Sequence, residues 1–416
     1  MNANAQPWLD LGCGEPAALA RPGTAEDVAC ELRRAQRDGL DVLPLGHGTR
    51  LGMGSPPERL GMVLLTEGIG RIIQYEPGDL TVTAEAGCAL GELDRVLRER
   101  GQFLPLSAAG GRGTIGGLTA TVPEGALSLG YGGVRDRLTG LRVALADGTI
   151  VKAGGRVVKN VAGYPLHRLM AGSFGTLGVI VEVSFRVQPL PAEAGPIEVD
   201  FASDEQAFEG AALVLAGGTE PVFANILLDG GTRRLVVGYD GPRTRVETHL
   251  RILPDALAAC RPRGSRRLTV EENESLRDAL DDPAGGAIRA SGQVGPTRAV
   301  ARLTNLPSRL PAVVRECRAA AHRAGASVAI DARPGAGSVF VTIEAPEGDA
   351  MRSALGAVLA AGRGGGHAFV FAAPADLRRD LDVWGSAPGD FALMRRMRET
   401  LDPAGLFTAG RFVGGL

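Results

Sequence analysis

Three glycine-bearing stretches, in a fixed order within the first half of the chain, constrain its fold more than any other feature. The first is Pro44-Leu45-Gly46-His47-Gly48-Thr49-Arg50. The second is Thr114-Ile115-Gly116-Gly117, with Ala120 after it. The third runs Lys159-Asn160-Val161-Ala162-Gly163-Tyr164, then Gly172-Ser173-Phe174-Gly175-Thr176-Leu177-Gly178. A glycine turn lets successive backbone N–H groups converge on an anion with no side chain in the way. A helix that starts directly after such a turn adds partial positive charge. These donors are neutral, so a chain of net charge −2 can bind a pyrophosphate in this manner. One stretch alone is weak, because the chain has 60 glycines and an ordinary turn explains any single pair equally well. None of the three is a P-loop, and none is G-x-G-x-x-G opening a helix, so a Rossmann site is not supported.

Composition excludes several functions. The sequence is 44% hydrophobic and 22% charged, as a soluble globular protein is, and its charge gives no sign of nucleic-acid binding. At roughly 100–200 residues per domain, its length suggests two or three domains. Charges or prolines interrupt every apolar run well short of the roughly 20 residues that span a bilayer. Met1 to Asp10 lacks a basic start followed by an apolar stretch, so a cytoplasmic location is expected, with any membrane association arising through partners. Cys13, Cys30, Cys88, Cys260 and Cys317 form no C-x-x-C pair, which argues against a zinc ribbon or an iron–sulfur cluster. No two histidines stand at i, i+4, so no metal site is expected. Only Lys152 and Lys159 are lysines among the 45 basic residues. Arginine abundance is therefore uninformative here. Lys159 stands out instead, because a compact ammonium does what a planar guanidinium cannot.

Periodicity places the elements. Thr24-Ala25-Glu26-Asp27 reads as a helix start, with Val28, Leu32 and Ala35 at helical spacing and Gly39 as the stop. Strands are expected at 41–45, 61–65, 69–75 and 80–86, a helix at 89–100, and a hairpin about Asp147-Gly148. Val179, Val181, Val183, Phe185 and Val187 alternate with more polar residues, the pattern of a half-buried strand. The proline-rich stretch 189–196 reads as a linker. Beyond it, helices at 205–215, 243–253 and 310–324 mix with strands at 222–228, 234–239, 327–330 and 339–344. A last helix is expected at 390–401. No repeat at solenoid spacing is visible.

In order and spacing, the three stretches resemble the FAD-binding domain of the vanillyl-alcohol-oxidase and p-cresol-methylhydroxylase (PCMH) group. The matching pattern is P-x-G-x-G-T, a T-I-G-G loop, and G-S-x-G-T-L-G-x-I. The stretch V-K-N-V-A-G-Y, Tyr131-Gly132 with Arg135-Asp136, Gly365-Gly366-His367-Ala368, and the tail Leu401-Asp402-Pro403-Ala404-Gly405-Leu406-Phe407 with Gly410-Arg411-Phe412 are similar to the FAD-binding subunit of bacterial glycolate oxidases. The likeness is dense from Arg21 to Pro191, sparse from Glu198 to Leu359, and returns near the C-terminus. Departures fall at Thr121-Val122-Pro123-Glu124, where many relatives place Asn and a second Gly, at Pro165, and at Thr408-Ala409.

The resemblance implies an α+β chain: a two-subdomain PCMH-type FAD-binding domain over 15–191, an α+β cap or substrate-side domain over 192–385, and a C-terminal helix and tail over 386–416 packing back on the FAD domain. It implies FAD contacts at Pro44, Gly46, His47, Gly48 and Thr49, then Thr114, Ile115, Gly116 and Gly117, then Asn160, Gly163, Gly175, Gly178 and Ile180. The first two loops would hold the pyrophosphate. Some relatives attach FAD covalently to a histidine in the first loop, but that position is Gly48 here, so FAD is expected to be non-covalent. Lys159, His367 and Arg411 are the candidates for a chemical role. The partners implied are a catalytic flavin subunit and an iron–sulfur subunit, and the substrate a small 2-hydroxy acid. The catalytic relatives' H-x-G-D-G-N-x-H motif is absent, which favours an electron-relaying flavin subunit. A stand-alone FAD-dependent D-2-hydroxy-acid dehydrogenase is the alternative.

Overall fold

A computed structural model describes residues 6–106, 110–155, 164–284, 297–346 and 348–416. The chain forms two compact units. The first comprises Met1–Glu124, Gly132–Leu190 and Ser386–Leu416, and the second Gly125–Tyr131 and Pro191–Gly385.

In the first unit, β1 (Ala18–Ala20), β2 (Val42–Leu45) and β3 (Met62–Leu65) make a parallel sheet in the order β1-β3-β2. The far end of the chain joins it. Phe407 bridges Val42 in parallel, with Val42 N–H donating to Leu406 O at 2.7 Å and Thr408 N–H to Val42 O at 3.0 Å. The remaining strands are β4 (Ile72–Glu76), β5 (Thr81–Glu85), β6 (Gln102–Phe103), β7 (Leu138–Ala144), β8 (Ile150–Gly154), β9 (Val179–Arg186) and β10 (Gln188–Pro189). Five of them form an antiparallel sheet, β4-β5-β9-β7-β8, while β6 pairs with β10.

Local chemistry explains the first helix, Ala25–Asp38. Thr24 Oγ1 accepts from Asp27 N–H at 3.0 Å, an N-cap contact of about 1 kcal/mol, and Gly39 closes the helix at φ 66°. Val28, Leu32 and Ala35 share the buried face. Strand β9 departs from expectation. Its alternation suggested one wet face, yet both faces are covered, and Glu182 and Ser184 are buried. Each polar group has a partner: Ser184 Oγ lies 2.8 Å from Thr83 Oγ1, and Glu182 sits 3.5 Å from Arg142, which also reaches Glu26 of the first helix at 3.6 Å. Alternation reports polarity, and a paired polar face can be buried as well as wetted.

The second unit holds β11 (Glu193–Asp200), β12 (Phe223–Asp229), β13 (Thr232–Gly241), β14 (Gly264–Arg267), β15 (Thr297–Thr304), β16 (Ser327–Arg333), β17 (Ser338–Ala345) and β18 (His367–Ala372). They form one antiparallel sheet, β14-β11-β13-β12-β16-β17-β15-β18. With helices Asp204–Ala216 and Arg243–Ala256, β11 to β14 trace β-α-β-β-α-β with spatial order 4-1-3-2. With helices Leu310–Arg323 and Asp349–Arg363, β15 to β18 repeat that order. Two split-βαβ modules thus meet edge to edge, where Ile226–Leu228 of β12 pairs with Ile330–Ala332 of β16. The four helices bury Ala207, Leu250, Val314 and Leu355 in one shared core.

The stretch expected as a linker is largely strand. Glu193 to Pro196 opens β11. Pro196 O accepts from Leu268 N–H at 3.1 Å, but proline cannot return the bond, and β14 ends one residue earlier at Arg267. Residues 125–131 belong with the second unit through Ala126 N–H to Asp281 Oδ1 (2.7 Å) and Tyr131 Oη–H to Asp240 Oδ2 (3.0 Å). Among the described residues, no helix is long and apolar enough to cross a membrane.

Candidate functional site

A cleft open to solvent lies within the first unit. Its walls come from all three glycine stretches. Pro44 through Arg50 supplies one side; Thr114, Gly116, Gly117, Ala120 and Thr121 supply another. Phe174, Gly175, Gly178, Val179 and Ile180 supply the third. Arg411, from the C-terminal tail, completes the lining. The first turn follows β2 and the third precedes β9, so strand ends aim both at the cleft.

Accounting for backbone donors separates the stretches. In the second, Ile115 N–H donates to Cys88 O at 2.9 Å, Gly116 N–H to Ala86 O at 2.8 Å, and Gly117 N–H to Thr114 Oγ1 at 3.2 Å. The start of helix Ile115–Thr121 therefore has its first three amides committed inside the protein, and this stretch shapes a wall rather than offering donors. In the first stretch, the amides of Gly46, His47, Gly48 and Thr49 have no acceptor among the described residues. Those four successive groups are the ones left for an anion.

The glycines answer first to the protein's own packing. A Cβ at Gly46 would press into Thr114, 2.9 Å from its Cγ2. One at Gly116 would sit 2.6 Å from Ala86 Cβ and 2.8 Å from its carbonyl oxygen. Gly48 adds a left-handed φ of 71°. The first and second stretches are thus locked together at Gly46–Thr114 whether or not a ligand is bound.

The electrostatics favour an anion. Among the described residues that line the cleft there is no carboxylate, while Arg50 and Arg411 are both present. Arg411 is buried, and that burial pulls its guanidinium down to about 10, opposed by the nearby Cys13. Its Nη1 donates to Ser55 O at 3.1 Å. A cation held out of water in this way interacts strongly with any charge brought beside it.

Strain gathers at the cleft's edge. Val122, directly after the lining residue Thr121, has φ 43° although it is β-branched and precedes Pro123. Both features oppose that conformation. Phe174 is left-handed as well, at φ 55°.

The structure brings together Pro44, Gly46, His47, Gly48, Thr49, Thr114, Gly116, Gly117, Gly175, Gly178 and Ile180. Ile115 lies behind the wall, with its side chain in the core. Lys159, Asn160 and Gly163 fall outside the described residues. His367 opens β18 in the second unit, exposed and paired in register with Thr304. Sequence reasoning did not single out Phe174, Thr66 or Ala86. Phe174 lay unremarked inside a quoted motif, whereas Thr66 and Ala86 carry no local signal. Among the described residues, no group of three or more His, Cys, Asp or Glu side chains could hold a metal ion.

Residues 16–154 match the family described as "FAD binding domain", and the fold and cleft are of the PCMH type. The fold is shared with a solved p-cresol methylhydroxylase with substrate bound, at TM-score 0.71 and 16% identity, covering 94% of this chain and 88% of that one. Among sequence relatives, the chain is 27% identical over 299 residues to the glycolate oxidase subunit GlcD of Bacillus subtilis (strain 168), covering 68% of this chain and 63% of that protein. It is 38% identical over 185 residues to the mitochondrial D-2-hydroxyglutarate dehydrogenase of Rattus norvegicus, covering 44% of this chain and 35% of that one. The chain thus spans less than two thirds of either relative. The residues present fit FAD: four uncommitted amides suit a diphosphate, and a buried guanidinium with no lining carboxylate suits an anionic cofactor.

Proposed function

We propose that this chain is the FAD-binding subunit of a glycolate-oxidase-type complex that oxidises a small 2-hydroxy acid. The observation that carries the reading is the convergence of three glycine stretches and Arg411 on one cleft that has spare amides and no carboxylate among its described lining residues. Bound FAD would supply hydride acceptance from the hydroxyl-bearing carbon. In this reading the amides of Gly46 to Thr49 hold the pyrophosphate, and Gly117 and Gly175 leave room beside it. Arg411 would set a desolvated positive charge beside an anionic cofactor held in the cleft. Lys159 is assigned to a flavin anion or a substrate carboxylate, and Lys159→Arg with unchanged flavin content and turnover would remove that role. Residues 192–385 supply the cap. The similarity to GlcD supports a place in a complex; the proposed partners are a catalytic flavin subunit and an iron–sulfur subunit. The absent H-x-G-D-G-N-x-H motif supports an electron-relaying role.

A second reading, a stand-alone FAD-dependent D-2-hydroxy-acid dehydrogenase, is favoured by the similarity to D-2-hydroxyglutarate dehydrogenase. One experiment separates them. The chain is purified alone and with its co-expressed genomic neighbours, and flavin bleaching by glycolate is recorded in each case. Bleaching only in the complex supports the subunit reading, and bleaching by the isolated chain overturns it. FAD is held non-covalently in both readings, so acid precipitation leaves the protein colourless.

A further inference from the structure

Phe174 is a left-handed residue with a large side chain, and it is among the residues that line the cleft. Such a backbone is sparsely populated and persists only where its surroundings over-determine it. Two contacts do so here. Phe174 N–H donates to Ala120 O at 3.0 Å, which ties it to the end of helix Ile115–Thr121. Its ring stacks on Phe412, with centroids 5.2 Å apart and planes at 24°. Gly172 and Gly175 stand close on either side, at φ 83° and 73°, so the flanking backbone raises little barrier to another arrangement. The stack adds to the Thr176 Oγ1–H bond to Ser173 O, at 2.7 Å, that also spans this residue.

Phe412 belongs to a tail that is anchored away from the cleft. The Asp402 carboxylate accepts from Leu406 N–H and Phe407 N–H at 2.7 and 2.9 Å. Arg398 Nη2 donates to Phe407 O at 2.8 Å. Further on, Gly414 lies so close over the Phe391 ring that a Cβ has no room. Removing the Phe412 ring therefore leaves the tail attached.

We infer that Phe412 is a positioning residue for the cofactor: it holds Phe174, a lining residue of the cleft, in place and so sets how fast FAD leaves. Phe412 is not itself among the lining residues and acts through Phe174. The inference rests on the FAD reading above.

The test measures FAD release from the loaded full chain, by recovery of flavin fluorescence after dilution, with visible circular dichroism of the bound flavin alongside. Phe412→Ala is expected to release FAD about three- to tenfold faster, the range an aromatic pair contributes. Its flavin dichroism is expected to change, while Phe412→Tyr stays within about twofold of the parent. Val413→Ala, in the same tail and buried, is the control for tail packing. Release by Phe412→Ala at the parental rate overturns the inference, and so does equal acceleration by Val413→Ala. If Phe412→Ala does not fold, Phe412→Leu removes the stack while keeping apolar bulk, and parental release from it is equally fatal. A parental chain that retains no flavin overturns the cofactor reading itself, whereas tight binding by parent and variant alike overturns the positioning role alone.

Discussion

Gly116 and Gly117 are neighbours in sequence, yet alanine at each should fail differently. At Gly116 the new Cβ would stand 2.6 Å from Ala86 Cβ and 2.8 Å from Ala86 O, and the obstacle is partly backbone that cannot rotate aside. Overpacking of this kind costs about 1–3 kcal/mol. Alanine's helix propensity returns up to about 1 kcal/mol. The shift needed to relieve the clash also strains the Gly116 N–H to Ala86 O bond of 2.8 Å, at about 1 kcal/mol. The net loss is about 1–3 kcal/mol, a fall of roughly 3–10 °C in the melting temperature of a unit of roughly 200 residues. At Gly117 the Cβ would meet only Thr114 Oγ1, at 3.2 Å, with no backbone in the way, so a shift of a few tenths of an ångström relieves it. The empty protein should melt within about 2 °C of the parent. Because Gly117 lines the cleft, the methyl group should instead weaken FAD retention, by about tenfold or more. Differential scanning calorimetry of the empty proteins and flavin retention on a desalting column give both readouts. A Gly116→Ala protein that melts with the parent would refute the packing argument. A Gly117→Ala protein that loses stability but keeps its flavin would refute the assignment of donors and walls.

Val122→Gly should relieve a left-handed, β-branched, pre-proline residue and raise stability by about 1 kcal/mol, read as a higher urea midpoint; an unchanged or lower midpoint would count against strain at that site. Asp402→Ala removes the acceptor of two tail amides and should cost about 2–4 kcal/mol, with hydrogen exchange at Leu406 and Phe407 rising first; unchanged protection there would show the tail is held by other contacts. Burial pulls the folded Arg411 guanidinium down to about 10, below its value in the unfolded chain. The unfolded chain therefore holds more protons between those values, so this residue's contribution to the empty protein's stability rises with pH across that window. Arg411→Met should abolish that rise in the difference between parent and variant, and a difference that stays constant from pH 9 to 12 would contradict the burial argument.

Much of the local architecture was legible because it is set by neighbours in the chain. Thr24 and Asp27 cap a helix whose buried face recurs every three or four residues, and Gly39 ends it in the conformation that glycine favours. The glycine stretches were legible as a set, because their residue types and order are unusual even in a glycine-rich chain. The doubled β-α-β-β-α-β module was not. Its two copies share strand order and burial, which many different sequences satisfy, so no repeat showed in the letters.

The site divides in the same way. The sequence by itself determined which segments could face an anion, since close approach and left-handed turns demand glycine. Only the tertiary structure decided which amides remain to donate: Ala86 and Cys88 accept from the second stretch and leave the first one open. It also decided that Arg411 enters the cleft across more than 200 residues of chain, and that Phe412 stacks on Phe174. Hydrogen-bond acceptors and stacking partners are chosen by proximity in space, and proximity between distant segments is a property of the packed core, not of any local pattern.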